Sequence, residues 1–221
     1  MKSRIALLAL AACCVSSLAL AQIRTGTFEI TPYGGYLFGG TFPNGSTAVF
    51  NTDVDVKDQG TYGLMFGYNF NSKFEMEFQW SRTKTDFQRD IPNNNGLFGG
   101  SSTVKVGDLD IDYYLANFVF NWGHGRWVPY FSMGAGAARL NPSIPNTSTS
   151  VEYRATVTFG TGIKAFVTPH FGFRFGGNYY GTSLPDNRND CDFSHDHDHC
   201  HDHNNNWLNQ GDVVGGLVFA F

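Results

Sequence analysis

Residues 74–81 alternate strictly. Phe74, Met76, Phe78 and Trp80 fall on one face of an extended strand, and Glu75, Glu77, Gln79 and Ser81 on the other. A period of two predicts a β-strand with one apolar and one polar face. The same period recurs along the chain. Thr27 to Phe38 sets Phe28, Ile30, Tyr36 and Phe38 against Thr27, Glu29, Thr31 and Tyr33, and residues 61–70 set Tyr62, Leu64, Phe66, Tyr68 and Phe70 against smaller neighbours. Further strands are predicted at about Asp108 to Trp122, Trp127 to Leu140 and Tyr153 to Phe166, with another through Phe171, Phe173, Phe175 and Tyr179. The last run, Val213 to Phe221, carries Val213, Gly215, Leu217, Phe219 and Phe221 on one stripe. An apolar strand at the end of the sequence suits a closed barrel, whose last strand pairs with its first and leaves no edge.

Connections between these runs alternate in length. Asn71-Ser72-Lys73, Gly123 to Arg126 and Val167 to His170 are tight, whereas 39–59, 86–106, 141–152 and 181–209 are long. Short turns alternating with long loops are the topology of bacterial outer-membrane barrels. The fold expected is all-β: an eight-stranded antiparallel transmembrane β-barrel with short periplasmic turns, long extracellular loops and both termini in the periplasm. A soluble β-sandwich also uses alternating strands, but it accommodates strands of this length and an apolar terminus less readily. The fourth strand is irregular, because Asp110 and Asp112 share a parity opposite to that of Asn117 and Asn121. Two readings stay open there: a bulge near Tyr113-Tyr114 that restores the register, or aspartates placed above the lipid.

Composition sharpens the picture. The chain has 21 Phe, 10 Tyr and 26 Gly with only 15% charged residues, and beyond the first twenty residues no apolar stretch is long enough to span a bilayer as a helix. Aromatics without a helical span match a barrel with interfacial girdles. The formal net charge of −4 counts against nucleic acid as a partner. Met1 to Arg4 is basic, Ile5 to Leu20 is apolar, and Ala19-Leu20-Ala21 supplies small residues at a cleavage position, so residues 1–21 read as a signal peptide and 22–221 as the barrel domain. Leu10-Ala11-Ala12-Cys13 offers a competing lipoprotein-type cut at Cys13. Either route exports the chain to the bacterial cell outer membrane.

If the aromatic faces meet lipid, the opposite parities point into the lumen. Those positions include Glu29, Glu75 and Glu77 on the early strands and Lys164 and Arg174 on the late ones, with Gln79 and Asn178 among them and Arg154 nearer the rim. Eight strands leave an interior narrow enough for side chains to fill. Buried charges there must pair, since removing one partner costs on the order of 3–5 kcal/mol. The expected lumen is therefore plugged by a Glu–Lys/Arg network. An ion pathway or a proton-linked gate is the functional alternative to simple interior salt bridging.

Three segments carry a family resemblance. Pro129-Tyr130-Phe131-Ser132-Met133-Gly134-Ala135-Gly136 resembles the Pro-Tyr and Gly-x-Gly fifth strand of the outer-membrane protein A-like eight-stranded β-barrel family. Gly160-Thr161-Gly162-Ile163-Lys164, running on to Thr168-Pro169, is similar to that family's Gly-x-Gly-x-Lys segment, and Phe173-Arg174-Phe175 stands where it often carries an arginine. The resemblance implies a barrel involved in envelope integrity, surface adhesion or small-solute passage, without fixing one activity. The peptidoglycan-anchoring role of longer relatives is not expected here.

The fourth long connection holds unusual chemistry. His195, His197, His199, His201 and His203 alternate mainly with Asp196, Asp198 and Asp202, between Cys191 and Cys200 and on to three asparagines. Neutral imidazoles with carboxylates are ligands for zinc, copper or nickel, so loop 181–209 is a candidate metal-binding loop, although no cofactor is required for the fold. The spacing matches no closed zinc pattern, and a solvated low-complexity tip is the bland alternative. Near pH 6 the same histidines begin to charge, which offers a pH-sensing reading. Cys191 and Cys200 are expected to form a disulfide in an oxidising compartment, with thiolate ligation of a metal as the rival.

No catalytic residues are assigned. The remaining histidines, His124 and His170, fall in expected periplasmic turns, with no strand-mounted serine and acid beside them. The expected roles are structural or surface-interacting, with outer-membrane lipid and an extracellular ligand or surface as partners and a monomer as the state. A narrow channel, through a polar lumen or by an apolar lateral exit, is the alternative.

Overall fold

A computed structural model describes residue 23 and residues 25–42, 54–92, 101–123, 125–143, 150–184 and 207–221. In chain order the strands are β1 (Thr27–Phe38), β2 (Thr41–Phe42), β3 (Val54–Val56), β4 (Gln59–Asn69), β5 (Phe74–Pro92), β6 (Ser101–Asn121), β7 (Trp127–Ser143), β8 (Glu152–Thr168), β9 (Phe171–Ser183) and β10 (Trp207–Ala220). Eight long strands form the wall. Starting from β1, each pairs antiparallel with the next around β4, β5, β6, β7, β8, β9 and β10. The short β2 and β3 extend the sheet beside the outer part of β5.

β1 and β10 close the cylinder. Their ladder runs from Glu29↔Ala220 to Phe38↔Gly211, and the Phe221 N–H donates to the Phe28 carbonyl at 2.9 Å. After Ile30↔Phe219 the ladder resumes at Tyr33↔Gly216. That break falls at Pro32, which has no N–H to give to a neighbouring strand.

Local chemistry makes the tight ends. Asn71 Oδ1 accepts from the N–H groups of Lys73 and Phe74 at 2.8 and 2.9 Å, closing the β4–β5 hairpin. Gly123 and Gly125 adopt φ of 120° and 105° between β6 and β7, a region that suits glycine. At the β8–β9 turn the His170 N–H donates to Thr168 Oγ1 at 3.3 Å, and the His170 carbonyl accepts from Ala220 N–H at 2.9 Å.

One sequence expectation is corrected, and one open reading is decided. β5 and β6 remain paired from Phe74↔Phe120 to Pro92↔Ser101, so much of the connection expected at 86–106 is strand. The apolar stripe on β5 ends at Trp80, but a ladder needs only backbone partners and continues past it. The register also shifts between Phe87 and Gln88, not near Tyr113-Tyr114. On β6 the odd positions from Gly107 to Asn121 are buried without interruption. Asp110 and Asp112 thus lie on the outward parity, beyond the apolar band.

The exterior is aromatic. Phe28, Phe66, Phe78, Phe118, Phe159 and Phe175 are all exposed along the wall, a surface matched to lipid. Among the described residues no helix is long and apolar enough to cross a membrane, and the crossing elements are strands.

Candidate functional site: the packed barrel interior

Inward-pointing side chains fill the barrel in layers. At the periplasmic end, Ile23 packs with Val128, Phe166 and Val218. Above them lies a layer of charge. Lys164, fully buried, donates to Glu29 Oε2 at 2.7 Å and to Glu75 Oε2 at 2.6 Å. Arg174 pairs with Glu77; its Nε donates to the Tyr130 hydroxyl at 3.0 Å, and its guanidinium lies 4.3 Å above the centre of that ring. Glu29, Glu75, Glu77, Lys164 and Arg174 therefore meet in one network, drawn from β1, β5, β8 and β9.

Amides complete the layer. Asn69 Nδ2 donates to Glu29 Oε1 at 2.7 Å, and Asn121 Nδ2 to Glu75 Oε2 at 3.2 Å. Asn117 Nδ2 bridges Glu77 Oε1 at 3.4 Å and Gln79 Oε1 at 3.0 Å. Each amide sits on an inward parity beside a carboxylate, where its donors offset part of the desolvation. Gly67 opposes Glu77 in the ladder and lies against Glu75; a Cβ there would overlap the Glu75 carboxylate. The small residue makes room for the charge.

A layer of tyrosines, amides and one carboxylate follows. Gln79 Nε2 donates to Tyr33 Oη at 3.1 Å and to Tyr180 Oη at 3.0 Å. Tyr180 donates to Asp212 Oδ2 at 2.7 Å, and Asn178 Nδ2 reaches Asp212 Oδ1 at 2.8 Å. Tyr113 stacks on Tyr180 with ring centres 4.6 Å apart. Toward the extracellular end, Leu37, Leu109, Ile111, Leu115, Leu140 and Leu208 form an apolar layer around these rings. Charge in the middle is thus enclosed by apolar side chains at both ends.

Sequence reasoning did not assign Tyr33, Tyr113, Tyr130, Tyr180 and Asp212 to the interior network. Inward parity was the available signal. Arg154, expected near the rim, is half-buried and bound to Glu152 at 2.6 Å. His195, His197, His199, His201, His203, Cys191, Cys200, His124 and the segment 1–21 lie outside the described residues. Among the described residues there is no cluster of metal-ligating side chains.

Residues 5–218 match the profile of the outer membrane protein beta-barrel domain. The chain belongs to this family. Its fold is similar to the outer membrane protein OprG from Pseudomonas aeruginosa, with a TM-score of 0.56, 16% identity and coverage of 91% of this chain and 99% of that one. Neisserial surface protein A gives a TM-score of 0.54 at 12% identity over 89% and 98% of the two chains. AlkL in lipid bilayers gives 0.51 at 13% over 91% and 92%. Comparison with curated proteins finds no match. Family membership places this closed eight-stranded barrel in the bacterial outer membrane.

Proposed function

We propose that the protein is a non-conducting surface barrel of the outer membrane, whose work is done by its exterior rather than through its lumen. The carrying observation is the layered interior. An ion crossing it would have to displace the Lys164–Glu29–Glu75 and Arg174–Glu77 pairs and then pass the Leu109–Ile111–Leu115 layer. Separating a buried pair costs on the order of 3–5 kcal/mol, and the apolar layers offer the ion no ligand. This reading opposes the channel alternative. Planar-bilayer recording of the full chain tests it: no openings are expected, and steady unitary conductance would overturn it.

The connection between β9 and β10, shorter at both ends than the expected 181–209, is the second element. Its five histidines, interleaved with aspartates, form a ligand set for zinc, copper or nickel. Isothermal titration of each metal into the wild-type chain and into one with His195, His197, His199, His201 and His203 changed to Ala separates the readings. Binding confined to the wild type supports capture at the surface, and equal binding by both refutes it.

A further inference from the structure

One row of residues crosses the outside of the wall just beyond its apolar band. The ladders align Tyr62 with Arg82, Arg82 with Asp112, Asp112 with Arg139, and Arg139 with Tyr153, from β4 to β8. All five are on the outward parity. The row beneath contains Leu64, Trp80, Tyr114, Ala137 and Ala155, and the one beneath that Phe66, Phe78, Ala116, Ala135 and Val157. Aromatic residues of a spanning protein collect at the headgroup level. The Tyr–Arg–Asp–Arg–Tyr row therefore lies at the outer headgroup boundary.

Its centre is built, not loose. Asp112 retains 3% side-chain exposure although it faces outward, because Arg139 Nη1 holds Oδ2 at 2.8 Å and Arg82 Nε approaches Oδ1 at 3.6 Å. Arg82 Nη2 is also fixed by Asp110 at 3.0 Å. The Arg139 and Arg82 side chains stay 27% and 32% exposed while the carboxylate between them is covered. They stand two strands apart, roughly 10 Å, and exposed Lys84 lies opposite Asp110 in the next row. A side chain seeking water alone would not need such bracing. The carboxylate orients two cations toward the exterior, and the flanking tyrosines frame them.

We propose that this row seats the phosphate-bearing headgroup of an outer-leaflet lipid. Phosphate accepts paired hydrogen bonds from guanidinium, and the headgroup layer is where such anions are fixed beside a membrane wall. Two arginines held about 10 Å apart suit a headgroup with spread anionic oxygens better than a single compact ion. The inference rests on outer-membrane placement and is independent of whether the lumen conducts.

The test uses the full chain refolded into brominated phosphatidylcholine bilayers, with Trp122, Trp127 and Trp207 changed to Phe so that Trp80 reports. An unbrominated lipid with a phosphate monoester headgroup is titrated in, and relief of Trp80 quenching gives its affinity relative to phosphatidylcholine. A preference of about five- to tenfold, weakened by salt, is expected. The R82Q/D112N/R139Q variant, which removes the row's three charges and leaves Asp110 opposite Lys84, should bring the ratio to about one. The milder D112N/R139Q variant, which keeps Arg82 on Asp110, should give an intermediate ratio, with far-ultraviolet circular dichroism confirming the strands. A wild-type ratio near one, or a wild-type preference retained by either variant, would overturn the proposal. So would loss of the preference when inorganic phosphate replaces chloride at equal ionic strength, because the site would then take free phosphate.

Discussion

Lys164 and Glu75 stand 89 positions apart in the chain, yet the ammonium of one lies 2.6 Å from a carboxylate oxygen of the other. Glu29 approaches the same ammonium at 2.7 Å. One cation thus joins β1 and β5 to β8 across the lumen. Replacing Lys164 with Met should strand two buried carboxylates and destabilise the barrel by about 3–5 kcal/mol. Urea unfolding in lipid vesicles checks this, and an E29Q/E75Q/K164M variant should recover much of the loss. An equal loss in the triple variant would show that packing, rather than charge pairing, sets the cost.

The tyrosine layer makes a second prediction. The Tyr180 hydroxyl accepts from Gln79 and donates to Asp212, while its ring stacks on Tyr113. Tyr180→Phe keeps the stack and removes both hydrogen bonds, leaving Asp212 with its hydrogen bonds from Asn178. A hydrogen bond to a charged group contributes about 1.5–3 kcal/mol, so a loss near that range is expected in the same unfolding assay. Phe at position 113, which spares Asp212, should cost less.

Inward packing also fixes where backbone must come close. A Cβ on Gly162 would overlap the Phe175 carbonyl oxygen and lie 2.6 Å from Tyr130 Oη, the atom that accepts from Arg174 Nε. Gly162→Ala should therefore move Tyr130 and loosen Arg174, destabilising by about 1–3 kcal/mol as overpacked sites do. Combining it with Tyr130→Phe removes the hydroxyl but not the Phe175 carbonyl, so it should restore only the part of the loss that Tyr130 carries, whereas fully additive losses would show that the backbone contact alone sets the cost.

Much of this arrangement was legible from period-two alternation. The faces of β1 and β5 follow directly from residues 27–38 and 74–81, because each side chain on a strand alternates between lipid and lumen. β6 was harder: Asp110 and Asp112 interrupt its apolar stripe, and sequence alone does not distinguish a bulge from a strand that outlasts the lipid. The answer came from backbone pairing with Arg82 and Arg139, residues on other strands. The same limit hid the Gln79–Tyr180–Asp212 chain, since its members are dispersed in sequence and meet only once shear aligns the strands. The outer apolar layer was missed because Leu37, Leu109 and Leu208 sit on the parity assigned to polar filling, and what decides their burial is height along the barrel.

Height also governs the last prediction. Phe175 and Tyr153 both face outward, but Phe175 lies within the aromatic band and Tyr153 at the row containing Arg139. Arginine on a lipid-facing strand costs about 2–4 kcal/mol at mid-depth and about 0–1 kcal/mol near the interface. Phe175→Arg should therefore lower the folding free energy in vesicles far more than Tyr153→Arg, although the wild-type phenyl and phenol are both exposed. The tyrosine site already borders a guanidinium in headgroup-level water, so a second cation there meets solvent and phosphate instead of hydrocarbon. Equal penalties would place the two positions at one depth and shift the apolar band relative to the Trp80–Tyr114 row. A larger penalty at Tyr153 would invert the assignment of the band altogether.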